Sequence, residues 1–142
     1  MNKKGFTLVE LLAVILLLGL IMVLVLPNIN NASGATKQKS FETKVSFIES
    51  AAILYGQDNY GKIVNNNNGS VCATYKKITS GYECTIKVKT LVPSYLTADS
   101  QDAVSGKYIA DPRDNSKYLD NTNIKITINS TTRKVTATYQ GS

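Results

Sequence analysis

One apolar run decides most of what this chain can become. Between Phe6 and Leu26 the only polar side chains are Thr7 and Glu10. Wound into a helix at about 1.5 Å per residue, that run reaches roughly 31 Å, close to the thickness of a bilayer's hydrocarbon core. After Leu26 the sequence turns polar and rich in Asn, Thr, Ser and Lys. The expected plan is therefore a membrane helix over 6–27 carrying a head over 28–142. The head is large enough for a modest core, although the chain has no Trp.

Three readings compete for the first thirty residues. A secretory signal has a basic start, a short apolar core and a small-residue cleavage site. Lys3 and Lys4 fit such a start, and Ala32-Ser33-Gly34 offers a strained version of the cleavage site, but the apolar run is too long. A plain single-span anchor explains the length and keeps Lys3 and Lys4 on the cytoplasmic side. It leaves Glu10 unexplained. An ionised carboxylate at the bilayer centre costs about 2.5–3.5 kcal/mol or more, so such residues normally have a partner.

The third reading accounts for the glutamate. The string Gly5-Phe6-Thr7-Leu8-Val9-Glu10-Leu11-Leu12 resembles the class III signal of type IV pilins and pseudopilins: a short basic leader ending in Gly, then Phe-Thr-Leu-x-Glu-Leu and an apolar helix. The resemblance covers about the first thirty residues. It implies that residues 1–5 are a leader, that a prepilin peptidase cuts between Gly5 and Phe6, and that Phe6 becomes the N-methylated first residue. It also implies that Glu10 pairs with the N-terminal amine of a neighbouring subunit and sets register, because a subunit at the wrong height buries an unpaired charge. Gly19 is a poor helix former, and Pro27 lacks a backbone donor and crowds the preceding turn. Together they mark a helix break, either a kink at the membrane surface or a segment that melts in a filament.

From Lys37 to about Asp58, apolar residues recur at Phe41, Val45, Ile48, Ala52 and Tyr55. Spacings of three and four predict an amphipathic helix. Phe47, Ala51 and Leu54 are expected to widen its buried stripe, with Lys44 and Glu49 on the opposite side. Asn28–Thr36 has low helix propensity, so either one long helix runs through it or two helices meet there. Asn65–Gly69 reads as a loop. Beyond it the period becomes two. Tyr82, Cys84, Ile86 and Val88 alternate with Glu83, Thr85, Lys87 and Lys89, which predicts a half-buried strand. Val71–Tyr75 is its expected partner. Thr90–Leu96 reads as a helical turn capped by Thr90. Ile124–Ile128 and Val135–Tyr139, joined by a turn over Asn129–Lys134, read as a C-terminal hairpin. The expected class is α+β, a long N-terminal helix packed against a small antiparallel sheet. The resemblance implies the same pilin-like arrangement.

Cys72 and Cys84 are the two cysteines, and in a head outside the cytoplasm they read as one disulfide, the alternative being two buried free thiols. No histidine occurs, which removes the commonest general base and metal ligand. Asp111, Asp114 and Asp120 cluster near Pro112 and Arg113 but lack calcium-loop spacing, and they read as solvated turn residues. No nucleophile, acid–base pair or phosphate-binding loop stands out, so no enzyme activity, cofactor or metal is expected. The formal net charge is +6, which suits loose contact with anionic polymers or surfaces. Lys76, Lys77, Lys87, Lys89, Arg133 and Lys134 could form a basic patch or simply solvate strand faces.

The reading is a structural subunit of a type IV pilus or pseudopilus, serving surface adhesion, DNA uptake or protein secretion. It is a single-pass membrane protein before assembly, head outside, and part of a surface filament afterwards. Its partners are other copies or related pilins, the prepilin peptidase, an assembly ATPase with its platform proteins, the membrane and, in one role, DNA. The alternative is a membrane-tethered surface binding module that does not polymerise.

Overall fold

A computed structural model describes residues 8–65, 71–99 and 106–142, with the side chains of 19–32 outside the described set. The expected cleavage site at Gly5-Phe6 and most of the Asn65–Gly69 loop lie outside the described residues. The chain divides into two compact units, Met1–Lys37 and Gln38–Ser142.

The described part of the first unit is helical. It belongs to α1, which spans Leu8–Asp58 and so includes the stretch 28–36 in helix. Gly19 and Pro27 fall within those bounds, among the residues whose side chains are not described.

Among its described residues the second unit holds the rest of α1, a short α2 (Tyr60–Val64), a 3-10 turn (Val88–Leu91) and six strands. These are β1 (Thr74–Ile78), β2 (Gly81–Lys87), β3 (Ala110–Asp111), β4 (Asp114–Tyr118), β5 (Asn123–Asn129) and β6 (Val135–Tyr139). Four of them form an antiparallel sheet in the order β1-β2-β5-β6, and β3-β4 form a separate ribbon. The class is α+β, a helix packed on a small antiparallel sheet, as the sequence predicts.

The core explains the arrangement. Phe41, Ile48, Ala51, Ala52 and Tyr55 of α1 are buried in one cluster with Cys84, Ile86, Ile124, Ile126, Ile128 and Val135 of the sheet. Period-two strands supply one apolar face, and the helix covers it. Gly56 sits where α1 packs tightly on the sheet. A Cβ there would lie 2.8 Å from methyls of both Ile126 and Val135.

Several expectations need correction. Phe47 and Leu54 do not widen the buried stripe; they are 64% and 53% exposed. Each is one residue, about 100° of turn, from a buried neighbour, and one sheet covers only a limited arc of a helix. Lys44 and Glu49 are not on a free opposite side. Lys44 pairs with Asp99, and Glu49 accepts the backbone N–H of Tyr139 at 2.9 Å. The first strand begins at Thr74 rather than Val71, and a turn at Thr79-Ser80 joins it to β2. A 3-10 turn spans Val88–Leu91, ahead of the expected segment, and no side chain caps it; within Thr90–Leu96 the chain does turn, the N–H groups of Tyr95 and Leu96 donating to the Leu91 carbonyl at 2.8 and 3.0 Å. Val88 and Leu91 are both fully buried, and in a 3-10 turn residues three apart stand on the same side.

Candidate assembly surface

The first described turns of α1 are apolar on all sides apart from Glu10. Leu8, Val9, Leu11, Leu12, Val14 and the run Ile15–Leu18 are all exposed, from 48% at Leu12 to 81% at Leu8. Glu10 is exposed among them. A helix with no polar face needs apolar cover, from lipid or from other helices. Among the described residues no helix is long and apolar enough to cross a membrane. Much of the expected 6–27 segment has side chains outside that set.

The head is closed by polar contacts that anchor its loops to α1. Nζ of Lys44 bonds the Asp99 carboxylate and donates to the Ala110 carbonyl at 3.2 Å, while the Ala110 N–H donates to Asp99 at 3.0 Å. Asp111 is buried at 4% exposure. It accepts from Nε and Nη2 of Arg113 at 3.1 and 2.9 Å. The guanidinium lies 3.5 Å from the centroid of the Phe41 ring on α1. Those hydrogen bonds hold the Asp111 carboxyl below the usual carboxylate range. Asp120, 2% exposed, accepts the backbone N–H groups of Tyr108 and Ile109 at 3.0 and 3.1 Å.

Two of the three clustered aspartates are therefore interior supports, not solvated turn residues. Only Asp114, the first residue of β4, has its side chain in solvent as expected; its carboxyl is lowered chiefly by the Ser116 hydroxyl and N–H. Among the described residues no group of three or more His, Cys, Asp or Glu could hold a metal. No pattern in the sequence marks Asp111 and Asp120 as buried, because their partners come from chain folding and not from spacing.

Cys72 and Cys84 are joined in a disulfide, with their Cα atoms 5.3 Å apart. Cys72 lies just ahead of β1 and Cys84 in the middle of β2, so the bridge fixes the entry to the sheet. Tyr55 on α1 donates to the Val71 carbonyl at 2.7 Å beside it. Burial, with Tyr95 nearby, raises the Tyr55 phenol.

Comparison with known proteins bears on the exposed helix and the head. Residues 1–26 match the family model described as the prokaryotic N-terminal methylation motif. The chain is 31% identical over 65 residues to the ComG operon protein 3 homolog of Bacillus licheniformis, covering 46% of this chain and 67% of that one. It is 29% identical over 121 residues to the type II secretion system core protein G of Escherichia coli, covering 84% of this chain and 73% of that one. No solved structure matches.

Proposed function

The chain belongs to the type IV pilin and pseudopilin family, and on that premise we propose that it polymerises through its apolar N-terminal helix as a structural subunit of a membrane-anchored filament. The observation that carries the reading is the helix at Leu8–Leu18, exposed and apolar all round except at Glu10. Lipid supplies its cover before assembly, and the helices of other copies or related pilins supply it afterwards. Burial is exchanged rather than newly gained, so packing shape and charge must provide specificity.

Glu10 provides the charge. Cleavage after Gly5 by a prepilin peptidase creates an ammonium group on Phe6, the residue then methylated. In the filament the Phe6 amine of one copy neutralises Glu10 of its neighbour. Gly19, within the membrane segment, and Pro27, at its end, loosen the helix ahead of the head. An assembly ATPase and its platform proteins extract the subunit, whose head lies outside the cytoplasm. The family's uses, adhesion, DNA uptake and protein secretion, all share this assembly step, and the role is structural rather than catalytic.

Mass spectrometry of the mature N-terminus tests the reading. The expected product begins at N-methylated Phe6. A chain that keeps Met1–Gly5 in a host with the peptidase overturns it and leaves a tethered module. Electron microscopy of sheared fibres then separates a major subunit from a minor one.

A further inference from the structure

The four-stranded sheet ends in two edge strands, β1 and β6, and the described residues cover only one of them. The ladder decides which backbone groups each edge turns outward. In an antiparallel pair the N–H and C=O of one residue point the same way, and the direction alternates along the strand. The Gln140 N–H donates to the Asn123 carbonyl and the Asn129 N–H to the Lys134 carbonyl. Even-numbered residues of β6 therefore face β5, and Val135, Ala137 and Tyr139 face out. Helix α1 covers that edge. Glu49 accepts the Tyr139 N–H, Val135 is buried, and α1 packs closely on it at Gly56.

The β1 edge is different. The Ser130 N–H donates to the Ser80 carbonyl and the Val88 N–H to the Thr122 carbonyl. Even-numbered residues of β2 thus face β5, and odd-numbered ones face β1. Thr74, Lys76 and Ile78 stand opposite Thr85, Glu83 and Gly81 and turn their peptide groups toward them. The N–H and C=O of Tyr75 and Lys77 point out of the sheet, where no backbone hydrogen bond from a described residue reaches them. Lys76 and Lys77 are exposed and join none of the four ion pairs among the described residues. As neighbours in a strand they project from opposite faces. Glu83, across from Lys76, is engaged by Lys125 at 3.6 Å. The Tyr75 ring stacks on Tyr82, with centroids 6.3 Å apart, on the same face as Lys77.

We propose that β1 is a docking edge for an extended acidic segment of another protein, which joins the sheet as one more strand through the peptide groups of Tyr75 and Lys77. Main-chain bonds give such an addition its affinity, and side chains give it specificity. Two adjacent acids on the added strand meet Lys76 on one face and Lys77 on the other, at cross-strand distance. An apolar residue next to them lies against the Tyr75 ring. A second copy of this chain fits badly. Antiparallel pairing of β1 with β1 sets lysine against lysine, and like charges directly opposite destabilise a sheet. The acids on this chain's own strands, Glu83, Asp111 and Asp114, are each engaged within the head. Edge lysines deter indiscriminate pairing, so the same two residues reject a lysine-bearing strand and admit an acidic one. The site lies within the head, and its test does not depend on the N-terminal processing or filament assembly proposed above.

The experiment uses the full chain in nonionic detergent and a fluorescein-labelled, capped peptide, Thr-Val-Thr-Val-Glu-Glu-Val-Thr-Val-Thr, with binding followed by anisotropy at low salt. A version with its central backbone amides N-methylated keeps the charge but cannot join a ladder. The expected result is that the parent peptide binds, slows hydrogen exchange at the Tyr75 and Lys77 amides, and outcompetes the N-methylated one. Lys76→Glu with Lys77→Glu should weaken binding at least about tenfold and confer binding of the same peptide carrying lysines in place of its glutamates. Lys77→Pro should bind more weakly than Lys77→Ala and melt alike, because an outward edge N–H is one that proline removes without breaking the ladder. If Lys77→Pro does not fold, the N-methylated peptide carries the same information. The proposal fails if the acidic peptide does not bind. It also fails if the N-methylated peptide binds as tightly, which reduces the contact to charge alone. Protection of the Tyr75 and Lys77 amides that rises with protein concentration, without peptide, gives the edge to a second copy and overturns it too.

Discussion

The backbone N–H of Tyr139 donates to Oε1 of Glu49 at 2.9 Å, tying the last strand to the helix across ninety positions of sequence. β6 is an edge strand of the sheet, and an unsatisfied edge invites pairing with other chains. Glu49 occupies one of those edge donors. Glu49→Ala should lower unfolding free energy by about 1.5–3 kcal/mol, the scale of a hydrogen bond to a charged acceptor. Glu49→Gln, which keeps a carbonyl oxygen, should recover most of that loss. Urea denaturation checks both, and equal stability of Ala and Gln variants would remove the hydrogen bond from the account.

Asp111 makes the head sensitive to acid. Hydrogen bonds from Arg113 depress its carboxyl in the folded state. A depressed carboxylate contributes stability above its unfolded value, about 3.9, and that contribution disappears as pH falls through the lower folded value. The parent's melting temperature should therefore fall between about pH 4 and pH 2 more steeply than that of Asp111→Asn. Parallel curves for the two proteins over that window would show that the pair contributes nothing.

The disulfide closes a short loop, with a sequence separation of 12. In the chain-entropy model such a bridge contributes roughly 3 kcal/mol by constraining the unfolded chain. Cys72→Ser with Cys84→Ala should lose about that much, and the parent should match the double variant once reduced. A reduced parent as stable as the oxidised one would contradict this.

Gly56 is required by close packing rather than by backbone angle. Alanine is the better helix former by about 1 kcal/mol. Here its methyl would meet Ile126 and Val135 at 2.8 Å, and both are β-branched and stiff. Overpacking of this kind costs about 1–3 kcal/mol. Gly56→Ala should be net destabilising, and Gly56→Ala with Val135→Ala should be less so than the two changes summed. Calorimetric melts of the four proteins decide it.

What the sequence discloses and what it hides follow from range. The stripe Phe41–Tyr55 and the alternation in Ile124–Ile128 are local patterns, and they place the helix, the C-terminal hairpin and the α+β class. Asp111, Asp120, Glu49 and Lys44 escape such reading because their surroundings are set by the fold and not by neighbouring residue types. A carboxylate buried against Arg113 looks the same in a sequence as one facing water. The β3–β4 ribbon is hidden for a related reason: Asp114–Tyr118 is largely exposed, so it carries no period-two signal. The proposed site at Gly5-Phe6-Glu10 is legible because a protease and a packing register would both read nearly consecutive residues.

Glu10 gives the sharpest test of assembly. Within the apolar helix its carboxylate opposes burial, and removing it makes the segment more apolar. Glu10→Ala should therefore reach the membrane fraction and be processed at the parent's level. It should nevertheless fail to enter filaments efficiently, because the Phe6 amine of a neighbour then has no acid to meet at the correct height and is itself left buried. Glu10→Gln should behave like the alanine variant, since it retains size and polarity but not charge. Co-expression with the parent should give fibres in which the variant is depleted relative to the membrane pool. Immunoblots of membrane and sheared-fibre fractions measure the ratio. Incorporation of Glu10→Ala in proportion to its membrane abundance would mean that helix shape alone sets register.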